Sequence, residues 1–392
     1  MKRKNHNYLY LTFLAIILTI IIFNVIKSTK TSQYKEIENT HPILKYIELP
    51  DGFRIGIFAS DLGKSFNAPG PNKGARFMEF YKDTLFLSIP SSGMVVALPD
   101  KNKDGKADDI IKVIGGLNKP HGIAFLNDEM YVANEGTVIK VKIKEDLIAD
   151  KSTIKHIVDL PSGGHWTRTI RIDNGKLYIS VGSSCNVCIE GDERRAAISV
   201  CNLNGDECKV FAKGLRNSVG FAFHPLANEI YATDNGRDML GDDLPPEEIN
   251  IIKEGKDYGW PICYGDKIHD TDFDKNIYIR DPCEDTEESF IEMQAHSAPL
   301  GLAFNFGNDF PSDYKGDLFV AFHGSWNRRI PTGYKIVRID TETKEIHDFA
   351  TGWLTDSYKV LGRPVDIIFD KEGVMYVSDD NAGLVYRILY EK

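Results

Sequence analysis

Arg216 and Asn217 stand side by side directly before a short apolar run, and the next apolar run ends in Asp234-Asn235-Gly236-Arg237-Asp238. Polar groups gathered at strand ends suit binding or catalysis more than packing. The pair is not isolated. Arg76, His121, Arg168 with nearby His165, His296 and Arg363 each precede an apolar run of the same kind. If those runs share an axis, the residues form a cationic ring on a chain of net charge −10. Guanidinium forks match carboxylates two-point, so the implied chemistry is recognition of a polyanionic small molecule. The alternative is that the arginines tie neighbouring units together through ion pairs. The acidic balance argues against a nucleic-acid partner.

A second constellation is DKNKDGKADD. Asp100, Asn102, Asp104 and Asp108 offer oxygens in the pattern of a calcium loop, with Gly105 for the sharp turn and a carbonyl from Lys106. Ile111 stands where a helix-flanked loop would close with Glu, so the expectation is a helix-free calcium loop between strands. A solvated acidic turn is the competing reading. The six cysteines, Cys185, Cys188, Cys201, Cys208, Cys263 and Cys283, fit disulfides in an exported chain. Four of them, spaced C-x2-C-x12-C-x6-C, could instead hold zinc. Cys185–Cys188 and Cys263–Cys283 are the expected pairs.

The elements that must position these groups recur six times. Each unit is a polar residue, an apolar strand, an Asn/Asp/Gly turn, and a second strand rich in Leu, Tyr, Val and Ala. Arg76, His121, Arg168, Asn217, Pro299 and Arg363 open the six units. The alternation is that of half-buried strands, and the turns carry turn residues. The period of about 45 to 50 residues is blade-sized. The reading is an all-β, six-bladed β-propeller over 51–392, with a β-sandwich as the alternative. The fourth interval is longer; the excess between Met239 and His296 reads as an insertion, with the Tyr258-Gly259-Trp260-Pro261 turn shaping the rim of the site.

The 392-residue chain is 42% hydrophobic and 27% charged, ordinary for a protein with a large core. Its start differs. Lys2, Arg3 and Lys4 precede an uncharged run from Tyr8 to Ile26, closed by Lys27 and Lys30. That run is long enough to span a bilayer, and no small-x-small cleavage site follows it. Residues 1–31 are therefore read as a transmembrane anchor, with a cleaved signal and a secreted form as the rival. Residues 32–50 are a linker and lead-in. In either case the positive flank stays inside and the rest is exported, periplasmic or extracellular.

The motifs LNKPHGIAF, GGHWTR, GSSCNVC, GLRNSVGFAFHP, TDNGRDMLGDDLPPEEIN, DYGWPICYG, HSAPLGLAF, AFHGSWNRRIPTGYK, GRPVD and YVSDDNAG span about residues 50 to 390. Together they resemble the exported glucose/sorbosone dehydrogenases that use pyrroloquinoline quinone (PQQ) on a six-bladed propeller, and are most similar to the sorbosone branch. The resemblance implies PQQ and calcium as cofactors and a small sugar as substrate. It implies a separate electron acceptor, a quinone or a cytochrome. His165 then matches the base that takes a proton from the sugar hydroxyl. Arg216 and Asn217 match contacts to PQQ, and Arg363 a carboxylate-binding arginine. Gly236 and Arg237 match the two carbonyls that hold calcium. The family's fifth-blade lysine is replaced in GSWNRR, where Asn327 or Arg328 would substitute, and His121 lies where a glutamine is expected. Arg168 joins the cofactor contacts by its place in the ring. Two other classes compete: a calcium-dependent lactonase-type hydrolase, and a non-catalytic propeller that binds a glycan or a partner protein.

Overall fold

The computed structural model describes residues 41–63 and 74–391. Six antiparallel sheets follow one another along the chain, each ordered from its first strand outward. Blade 1 comprises Met78–Tyr81, Thr84–Ile89, Met94–Leu98 and Ile111–Gly115, and blade 2 comprises Ile123–Leu126, Glu129–Ala133, Thr137–Ile143 and Ala149–Asp159. Blade 3 comprises Arg168–Asp173, Lys176–Val181, Ala197–Asn202 and Lys209–Lys213, and blade 4 comprises Phe221–Phe223, Ile230–Asp234, Glu247–Ile252 and Ile291–Met293. Blade 5 comprises Pro299–Phe304, Leu318–Phe322, Lys335–Ile339 and Ile346–Ala350. Blade 6 takes Pro364–Phe369, Met375–Asp379 and Leu384–Tyr390 from the end of the chain and its outermost strand, Phe53–Ala59, from near the beginning. The six-bladed propeller read from the repeats is the observed architecture.

The blades stack through alternating side chains. Phe86 and Val95 of blade 1 pack on Met130, Val132 and Val141 of blade 2 in one buried layer. Fully burying a side chain such as Phe86 contributes about 1.5–3 kcal/mol. The first strands pack on one another around the axis, where Phe77, Val219, Leu300 and Val365 form a small apolar plug. Strand reversal then decides where function can sit. Links between blades, and links between second and third strands, fall at one end of every sheet; the remaining links fall at the other.

The long interval resolves into two parts. The third strand of blade 4, Glu247–Ile252, lies inside it, so the insertion proper runs from 253 to 290. Its short strand Lys256–Asp257 pairs in parallel with the outer strand of blade 3, and Cys263–Cys283 closes it. Cys185–Cys188 and Cys201–Cys208 are the other disulfides, and no free cysteine remains. The zinc alternative falls, because its four sulfurs are bonded in pairs. No helix among the described residues is long and apolar enough to cross a membrane. The N-terminal anchor expected over 1–31 lies outside the described residues.

Candidate active site

At the end of the axis reached by the inter-blade links lies a cavity of about 660 Å³. Arg76, Lys119, Arg216 and Arg363 bring four cationic side chains to its wall, with His165, His296 and His323 beside them. Asp238 and Glu247 are the carboxylates that line it.

One device seats the residues before the first strands. Asp234 closes the second strand of blade 4, and its carboxylate accepts the backbone N–H of Arg216 (2.9 Å) and of Asn217 (2.6 Å). Asp379 closes the second strand of blade 6 and accepts the N–H of Arg363 at 2.9 Å. Both carboxyls are buried, and burial pushes them up: Asp379 to about 6, and Asp234 well above the carboxylate range. A buried acceptor of this kind fixes where a strand begins, and so where its preceding side chain points.

His165 sits between blades 2 and 3. Its Nδ1 lies 3.1 Å from the carbonyl oxygen of Ser183 and 3.0 Å from Ser183 Oγ. A carbonyl only accepts, so Nδ1 carries the proton and Nε2 keeps the lone pair. Burial first, then the positive charge of Arg216, lowers the imidazole to about 4. The ring is therefore neutral at physiological pH and able to accept a proton. Gly182 makes the close packing possible: a Cβ there would stand 2.4 Å from Asn217 Oδ1 and 2.8 Å from His165 Cβ.

The arginines divide by role. Arg216 commits four of its five N–H groups to protein, to Asn186 O, Asn186 Oδ1, Asn235 O and Asp238. Arg363 donates to Gly324 O and to Tyr334 Oη, both at 3.0 Å. Arg76 pairs with buried Asp380 and stacks its guanidinium over Trp166. The inter-blade tie weighed as the alternative is thus present, in residues that also line the cavity.

Three expected cofactor contacts lie elsewhere. His121 is fully buried below the cavity, against Phe77 and Trp166, with Nδ1 on the carbonyl of Arg168. Arg168 is fully buried and donates to the carbonyls of His165, Thr167 and Pro161, so it holds the His165 loop from behind. Arg328 donates to Asp242 O and Asp243, which laces two rim loops and turns it from the cavity. Asn327 does line the cavity and donates to Asp238 at 2.7 Å. Lys119, Glu247 and His323 were not singled out from the sequence. Lys119 stood within LNKPHGIAF two residues before His121, which was the available signal.

Of the expected calcium carbonyls, Gly236 lines the cavity, and its N–H is held by Glu247 at 2.8 Å. Burial pushes the Glu247 carboxyl up to about 7. Arg237 lines a small cleft behind the cavity, together with Trp260 and Pro261, and its side chain pairs with Asp270 at 2.7 Å. The Tyr258–Pro261 turn therefore backs the site and does not form its rim. Asp100 belongs to the opposite end of the propeller, where it lines a second groove between blades 6 and 1. Asp100, Asn102, Asp104 and Asp108 spend their oxygens on backbone N–H groups of Asp104, Gly105, Lys106 and Lys101. Their carboxylates do not converge on one point. In this arrangement the loop oxygens cap their own turn.

Fold and cavity together define a six-bladed propeller whose axial face carries a cavity lined by four cationic side chains beside a neutral histidine. Within that class, the chain belongs to the TrAA12-like family, which it matches over residues 74–391. It is 34% identical over 374 residues to an uncharacterized protein of Borreliella burgdorferi, covering 89% of this chain and 92% of that one. It is 27% identical over 291 residues to the pyrroloquinoline quinone-dependent pyranose dehydrogenase of Coprinopsis cinerea. That match takes in 57% of this chain and 39% of the Coprinopsis enzyme, so the chain spans well under half of that relative. The calcium structure of the Trichoderma reesei Carbohydrate-Active Enzymes Family AA12 has the same fold, with TM-score 0.74 and 20% identity over 91% of this chain and 99% of that one. The resemblance to quinoprotein sugar dehydrogenases drawn from the motifs is borne out, and a sugar oxidoreductase is the class it supports.

Proposed function

We propose that this chain is a PQQ- and calcium-dependent dehydrogenase that oxidises a small sugar, with His165 as its base. The observation that carries the proposal is the neutral His165, oriented by Ser183, in the wall of a cavity lined by four cations. The residues fit a flat tricarboxylate. The cavity is of cofactor size, and Arg76 Nε and Asn217 Oδ1 are buried near it without a protein partner. Arg76, Lys119, Arg216 and Arg363 would meet its carboxylates, and Asn217 and Asn327 its polar edge. The backbone carbonyls of Gly236 and Arg237 would hold calcium. When bound, PQQ supplies the hydride acceptor, and calcium polarises it as a Lewis acid.

The protein's own part is then to bind, orient and take a proton. His165 Nε2 accepts the hydroxyl proton of the substrate while Nδ1 stays on Ser183. Trp166 and Trp326 line the same cavity and offer faces to a sugar ring. The enzyme is exported, held at a membrane by its N-terminal run, and passes electrons to a separate quinone or cytochrome. Three disulfides among the described residues accord with an oxidising compartment. To test the reading, purified protein is titrated with PQQ and Ca²⁺ and assayed for dye reduction with a panel of sugars. A PQQ absorbance change with sugar-dependent turnover, lost in His165→Ala, is expected. No PQQ-dependent absorbance change would overturn it.

A further inference from the structure

The stretch Ser183 to Cys188 touches His165, Arg216 and Asp238 without itself lining the cavity. Ser183 Oγ sits 3.0 Å from His165 Nδ1 and donates to the carbonyl of Cys185 at 2.7 Å. One residue further, Asn186 makes four hydrogen bonds across the gap between blades 3 and 4. Its carbonyl accepts Arg216 Nε at 2.8 Å. Its Oδ1 accepts both Arg216 Nη2 (2.9 Å) and the N–H of Asp238 (2.7 Å). Its Nδ2 donates to the carbonyl of Asp238 at 3.0 Å. Asp238 in turn accepts from Asn327 of blade 5. Asn186 itself lies inside the Cys185–Cys188 ring, whose cysteines are three residues apart.

We propose that Asn186 is the positioning residue that aims Arg216 and the 235–238 turn into the cavity, and that the Cys185–Cys188 disulfide holds Asn186 in place. The physical case is one of rotamer freedom. An arginine has many side-chain rotamers, and a fork fixed by two acceptors of one residue gives up that freedom before any ligand arrives. Both acceptors belong to Asn186, and the ring limits how far its backbone can move. Asn186 is absent from the cavity lining, so it acts through Arg216 and Asp238 and is not a catalytic residue.

The arrangement has a second readout in His165. The charged groups that act most on this imidazole are guanidinium groups: Arg216 first, then Arg168 and Arg195. Arg168 is pinned by three carbonyls, and Arg195 by those of Gly163, Gly182 and Ser162. Neither depends on Asn186. Releasing Arg216 alone therefore lets the His165 imidazole titrate at higher pH, with the other two charges unmoved.

The test uses the full chain in two variants, Asn186→Ala and the double change Cys185→Ser with Cys188→Ser. The first removes the side-chain bonds; the second keeps Asn186 but opens its ring. Imidazole titration by NMR is done on cofactor-free protein, with His165 assigned by its loss in His165→Ala. PQQ affinity, which rests on the function proposed above, is read separately by absorbance. The expected result is a His165 midpoint raised toward the ordinary value in both variants, and PQQ binding weakened about tenfold or more. A lowered melting temperature with an unchanged His165 midpoint would mean a merely structural role and would overturn the proposal. If Asn186→Ala does not fold, the cysteine variant decides by the same two criteria. If wild-type protein does not bind PQQ, the assigned function fails, and the titration still decides the positioning role.

Discussion

Asp380 offers the sharpest test of how the cavity floor is held. Its carboxylate is fully buried, with one oxygen paired to Arg76 and the other 2.9 Å from His323 Nε2. Burial alone would push this carboxyl up, but His323 and Arg76 outweigh it and hold it below the usual range. Asp380→Ala strands a guanidinium that is itself buried and whose Nε already lacks a partner. Breaking a buried pair from one side costs about 3–5 kcal/mol, because the remaining charge is left uncompensated. Asp380→Asn keeps an acceptor and should lose less, about 1–3 kcal/mol. Urea unfolding at pH 7 measures both. A further outcome separates charge from packing. Arg76 lines the solvent-reached cavity, so added formate should restore part of the stability of Asp380→Ala and none to wild type. A loss below about 1 kcal/mol, the range of exposed ion pairs, would refute the reasoning. So would an equal response of wild type and variant to formate.

Three other outcomes are expected. In cofactor-free protein the His165 imidazole should titrate near 4 by NMR and not near 6.5; Arg216→Gln should move that midpoint upward. Gly182→Ala should cost about 1–3 kcal/mol by overpacking against Asn217 and His165, read by urea unfolding, with turnover reduced beyond the loss of folded protein. Asp366 is fully buried, and its carboxyl is pushed up to about 7 chiefly by burial. Its folded-state proton is kept longer than its unfolded one, so wild type loses stability as pH rises from about 4 to 7. The stability of Asp366→Asn relative to wild type should rise by about 1.4 kcal/mol per pH unit across that window, and a flat difference would contradict the burial argument.

The blade count was legible because a half-buried strand writes its alternation into adjacent residues. The ring of arginines was legible for the same reason, since each stands at or shortly before the start of such a strand. What could not be read was how far each side chain drops along the axis. Arg168 is the first residue of its strand and folds back under the His165 loop, while His121 sinks onto Phe77. Lys119, Asp238 and His323 reach the cavity from links whose path depends on which blade lies beside them. The strand Glu247–Ile252 was lost inside the insertion because its two leading glutamates look like surface. Both are buried, and each is satisfied by backbone N–H groups from distant loops. The acidic turn at Asp100 carried a cation pattern in sequence, but local N–H donors claim the same oxygens first.

Phe53 pairs with Tyr390, so the sixth sheet is made from both ends of the propeller chain. The consequence is temporal. During synthesis five blades can complete in order, but the sixth waits until the last strand emerges and the first returns to it. Until then Phe53–Ala59 presents an open edge, with Phe53 and Ile55 lacking their neighbours in the Phe310–Tyr386 layer. A chain cut before Leu384 would thus be not a slightly shorter propeller but an unlatched ring.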